Sequence, residues 1–103
     1  MNDQIERFSD LDWQQVSEVA KQKLIDNGEK RVRLLQLQAG FQEQEWCQRG
    51  HTGFILHGTL EVEFQDDRVE SYSQGDPFLL SAGEPHKARV STGKVQLFLV
   101  DDV

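Results

Sequence analysis

Between Leu60 and Phe64 the chain alternates Leu, Glu, Val, Glu, Phe, which puts three apolar side chains on one face and two carboxylates on the other. That is the pattern of a half-buried strand. Similar short apolar segments predict strands over 53–56, 77–80, 88–90 and 95–100, separated by turns at 57–59, 65–68 and 74–76 and by loops rich in Gly, Pro, Ser and Thr. Upstream, Asp26-Asn27-Gly28 signals a hairpin, because Asn and Gly tolerate the positive φ of a tight turn, so strands are expected over 19–25 and 31–38. Another extended segment enters at Phe41 and runs to Trp46. Nearer the start, Met1 to Ser9 reads as a polar arm. Ser9 or Asp10 can then cap a short helix through Leu11, Trp13 and Val16, with Asp10 and Asp12 at its positive end. A competing reading runs one helix from Asp10 to Asp26 with Gly28 just past its end, and both stay open. Strands at this spacing predict an all-β sandwich or barrel, with an arm and short helix over 1–15 and the barrel over 16–103.

Length and composition narrow this picture. A chain of 103 residues makes one domain and one core. Hydrophobic residues at 37% and charged residues at 28% place it among globular proteins rather than disordered ones. No run of eighteen apolar residues and no basic-then-apolar start is visible, so neither a membrane span nor a signal peptide is expected and the cytoplasm is the default compartment. The net charge of −7 opposes a phosphate backbone, which argues against nucleic acid as a partner. A single cysteine forms no internal disulfide.

Candidate chemistry concentrates between Gly40 and Gly58. In an extended segment Glu45 and Cys47, two apart, point to one face while Trp46 points away. Gln48-Arg49-Gly50 then lets the chain bend and bring His51 back to that face. With His86, held behind Pro85, these residues supply a carboxylate, a thiolate and two imidazoles. They are standard ligands of zinc, and the thiolate disfavours magnesium and calcium. The metal-ligand candidates are therefore Glu45, Cys47, His51 and His86. Zinc ranks first, with iron, nickel and manganese behind it. Four ligands would close a tetrahedral site, whereas three would leave a position open and free Glu45 to act as a base. Other groups have more ordinary readings. Glu84, before Pro85, is expected in solvent, His57 in an exposed turn, and Arg33 on the surface unless it points inward to meet an anionic ligand.

The spacing resembles the two conserved motifs of the cupins. Gly40, Glu45-x-Cys47, three residues, His51, six residues and Gly58 is similar to the first motif. Gly75, five residues, Ser81-x-Gly83, two residues and His86 is similar to the second. The likeness is strongest to small single-domain cupins with an Asp-His-Trp-Cys stretch, here Gln44-Glu45-Trp46-Cys47 followed by Gly50-His51. Common members carry His, His and Glu where this chain has Glu45, Cys47 and His51, and Ser81 replaces a proline. The resemblance implies a jelly-roll β-barrel and pairing into homodimers. It leaves two functions open. One is a binding or sensor module holding a metal or small molecule. The other is a metal-dependent enzyme of isomerase, hydrolase-like or oxygenase type acting on a small organic substrate. Fold does not choose between them.

Overall fold

The computed structural model describes residues 6–103, so Met1–Ile5 of the expected arm lie outside the described residues. Phe8–Asp10 form one 3-10 turn, after which the chain is strand and loop. The strands are β1 (Gln14–Ser17), β2 (Ala20–Asp26), β3 (Lys30–Gln38), β4 (His51–His57), β5 (Thr59–Phe64), β6 (Val69–Ser73), β7 (Pro77–Leu80), β8 (His86–Arg89) and β9 (Lys94–Asp102). Six of them make a sheet in the order β1-β2-β3-β9-β4-β7, and three make a second in the order β6-β5-β8. All the pairings are antiparallel. The architecture is the all-β jelly-roll barrel, with its helical segment reduced to a single turn.

That turn is shorter and earlier than the helix expected through Val16, and the single helix from Asp10 to Asp26 does not form. Backbone pairing of Gln14 with Gln22 and of Ala20 with Leu37 draws both halves of that segment into the large sheet. The hairpin at Gly28 is present, with Gly28 at a φ of 91°. Asn27 keeps a negative φ and instead uses its side-chain oxygen to accept hydrogen bonds from the backbone N–H of Glu29 and Lys30. Strand β6 was not anticipated, because among its residues only Tyr72 is even partly buried.

Alternation along the paired strands decides what reaches the interior. On β3 the row Arg31, Arg33, Leu35, Leu37 stands opposite Asp101, Leu99, Leu97 and Val95 of β9. Leu37, Val95, Leu97 and Leu99 are buried, as are Ile55 on β4 and Leu60, Val62 and Phe64 on β5. Each such side chain contributes about 1.5–3 kcal/mol relative to exposure. The interior row thus changes along its length, from apolar at Leu37 to charged at Arg31. His51 starts β4 at the charged end, paired with Leu80 of β7. No described helix is long and apolar enough to cross a membrane.

Candidate metal centre

Cys47 and His86 face each other across an isolated antiparallel bridge. The N–H of each donates to the other's carbonyl, both at 2.9 Å. This pairing fixes two candidate ligands on adjacent backbone segments. Strand β4 supplies the third, His51, whose ring centroid lies 5.3 Å from that of His86. Ligand atoms of Cys47, His51 and His86 all fall within 4.8 Å of one another. The two motifs are 35 or more residues apart in places, yet the barrel closes them onto one point.

The protonation pattern fits a metal. His86 is buried, and its Nδ1 lies 3.0 Å from the carbonyl oxygen of Glu84. A carbonyl only accepts, so Nδ1 carries the proton and Nε2 presents a lone pair. That Nε2 is buried without a partner, and so is His51 Nδ1. An unpaired buried polar atom costs about 1–3 kcal/mol, so two within one cluster point to a ligand that satisfies both. Burial, then the neighbouring His86, lower the pKa of His51, and Asp101 offsets this only in part. His51 is therefore neutral near pH 7, the form that ligates. The residues present fit a soft-to-borderline divalent ion held by one thiolate and two imidazoles.

The cluster opens into a cavity of about 130 Å³ lined by Leu35, Leu37, Phe41, Leu60, Phe78 and Leu97 together with the polar Arg33, Glu43, His51 and His86. A wider space of about 490 Å³ continues toward solvent past Arg31, Arg33, Arg49, His51 and Asp101. His51 and Arg33 line both spaces.

No family model matches the chain, and no curated protein matches its sequence. Solved structures do match. KdgF from Halomonas sp. is 17% identical, with a TM-score of 0.82 over 98% of this chain and 94% of that one. The polyketide cyclase RemF from Streptomyces resistomycificus is 15% identical, with a TM-score of 0.83 over 99% of this chain and 80% of that one. An RmlC-like cupin from Shewanella frigidimarina is 14% identical, with a TM-score of 0.78 over 98% of this chain and 91% of that one. The chain has the cupin fold. At these identities the likeness concerns architecture alone, and the chemistry of the site rests on this chain's own residues.

Of the four expected ligands the cupin barrel brings three together. Glu45 is exposed at a bend and lies outside the cluster. The reason is local: Phe41–Trp46 is not a strand but an irregular segment that touches β8 through Gln42 opposite Arg89 and then Cys47 opposite His86. Strict alternation fails across the bend. Trp46 does point outward, its ring beneath the Lys87 ammonium at 4.5 Å.

The carboxylate that enters the cavity is Glu43, which the sequence reading passed over. Its Oε1 accepts the Ala88 N–H at 2.8 Å, and its own N–H donates to the Ala88 carbonyl at 3.0 Å. Parity alone did not single it out, because Phe41, Glu43, Glu45 and Cys47 all share it; Phe41, two residues before Glu43, packs on the core. Arg33 also points inward, against the surface placement expected of it. Its Nε donates to Asp101 Oδ2 at 2.9 Å, an ion pair that lets a guanidinium sit at the cavity wall. Glu84 remains in solvent, bonded by Arg68. Its contribution to the site is the backbone carbonyl that orients His86.

Proposed function

We propose that this small cupin binds a divalent metal ion through Cys47, His51 and His86 and uses that site to hold a small molecule inside the barrel. The observation that carries the reading is the pair of orphaned buried imidazole nitrogens, His51 Nδ1 and His86 Nε2, converging with a free thiol. Zinc suits one sulfur and two nitrogens best, ahead of iron, nickel and manganese. A set of three protein ligands leaves a position for a small molecule, and Glu45 is dropped as the fourth. When bound, such an ion supplies Lewis acidity toward an oxygen of the occupant. The chain itself orients His86 through the Glu84 carbonyl and keeps His51 neutral by burial.

A second reading, turnover, is favoured by one feature. The mouth is open and carries polar groups besides the ligands, and Glu43 stands in the cavity where a general acid or base would stand. In that reading Glu43 moves a proton to or from the bound molecule while Arg33 fixes its charge. A purely binding role keeps Glu43 as the brace that joins its segment to β8.

Pairing of two copies belongs to the same proposal. The outer face of the large sheet carries Phe54, Leu56 and Leu79 at 42%, 40% and 72% exposure, apolar area that a second copy would cover.

Cobalt substitution tests the metal site. Chelator-treated protein loaded with Co²⁺ is expected to give tetrahedral d–d bands and a thiolate charge-transfer band in the near ultraviolet. Cys47→Ser should lose the charge-transfer band. A spectrum of hydrated cobalt in the wild type would remove the site.

A further inference from the structure

The chain carries seven more negative than positive charges, yet three arginines gather around the barrel mouth. Arg33 is paired with Asp101, and Asp102 with Lys30. Arg31 and Arg49 form no salt bridge with any described residue. Arg31 is the more telling of the two, because its Nε is buried and has no hydrogen-bond partner. It stands on the interior face of β3, two residues from Arg33 and opposite Asp101. Arg49 arrives from the other side, on the loop that leads through Gly50 into His51. A buried guanidinium nitrogen without an acceptor is costly, and the acceptor it fits is a planar anion taken by two parallel N–H groups.

We propose that the mouth is a binding subsite for the carboxylate of a small organic acid, gripped by Arg31 and Arg49. Asp101 and Asp102 line the same wall. They oppose a dianion such as phosphate or a dicarboxylate and favour a single carboxylate. The volume of about 490 Å³ suits a small organic acid, and Arg33 and His51, which line this space and the inner cavity alike, border the end of the molecule that points inward. The proposal deepens the metal-site reading and rests on it only for where that other end goes. The grip itself belongs to the arginines.

The test is a titration of nitrogen-15-labelled protein, zinc-loaded and chelator-treated, with lactate, benzoate, their neutral amides lactamide and benzamide, and inorganic phosphate. Saturable movement of the Arg31 Nε–H signal with at least one carboxylate, and none with its amide, is expected. Arg31→Gln should weaken that binding by about tenfold or more, as removal of a charged hydrogen-bond donor does. Arg49→Gln, on an exposed loop where the fold does not depend on it, should weaken it in the same direction, and Lys21→Gln on the outer face should leave it unchanged. The proposal is overturned if no carboxylate shifts the signal, if amides bind as well as acids, if phosphate binds more tightly than every carboxylate, or if Arg49→Gln binds like the wild type. The two readings fail separately. Carboxylate binding by a wild type that takes up no zinc keeps the subsite while the metal reading falls, and stoichiometric zinc without carboxylate binding does the reverse.

Discussion

His51 shows how much a single position carries. It is flanked by Phe78 on one side and His86 on the other, with ring centroids at 6.1 Å and 5.3 Å, and both burial and the second imidazole resist its protonation. Its folded pKa lies below the ordinary value of 6.5. Above that value the ring is neutral in both folded and unfolded chains, and stability is unaffected by it. As the pH falls below it, the unfolded chain takes up the proton first, so acidification destabilises the fold. Urea unfolding of chelator-treated protein at about pH 7.5 and about pH 5.5 should show this loss, and His51→Asn should show a smaller one. Equal loss in both would mean that His51 is not the titrating group. At this scale the sequence was legible where pairing is regular. Cys47, His51 and His86 could be matched to one site from the motif spacing, although only Cys47 and His86 are paired and His51 reaches them from the other sheet. Glu45 could not be told from Glu43, since the bend that turns one outward and leaves the other inward has no residue signature. Arg33 was placed outside because its ion-pair partner, Asp101, lies 68 residues on.

Among the elements, the strands with alternating apolar residues were readable and the others were not. Gln14–Ser17 and Val69–Ser73 lie at sheet edges and are almost wholly exposed, so no buried face marks them. Leu11, Trp13 and Val16 fall at helix-like spacing, but the Trp13 ring is used against the sheet exterior. The ammonium groups of Lys21 and Lys23 lie 4.8 Å and 4.9 Å from it. Turn glycines separate into two kinds. Gly58, at a φ of 81°, joins β4 to β5 so closely to β9 that a Cβ would lie 2.0 Å from the Lys94 carbonyl oxygen. Gly28 has the same handedness but open space around it. Gly58→Ala should therefore cost about 2 kcal/mol or more, and Gly28→Ala about 1 kcal/mol from backbone strain alone. Denaturant midpoints measure both, and equal costs would show that the close approach to β9 is not limiting.

For the whole molecule, the two sheets enclose a core that is apolar at one end and polar at the other, and the candidate ligands sit where the one gives way to the other. The motif spacing sufficed for the barrel. What composition could not report is the distribution of charge. The negative net charge hides a basic mouth, because distribution depends on which strand positions face inward. The outer sheet face bears on assembly. If two copies pair through Phe54, Leu56 and Leu79, light scattering after gel filtration should give a dimer mass for the wild type and a monomer mass for Leu79→Glu. A monomeric wild type would leave that face without a second copy.

The central claim is that Cys47, His51 and His86 hold a metal ion together. Elemental mass spectrometry of untagged protein, beside a Cys47→Ser, His51→Ala double variant, tests it most directly. The account predicts close to one divalent ion per chain in the wild type, zinc foremost, and its loss in the variant. Equal metal in both proteins, or none in either after reconstitution near neutral pH, would contradict it.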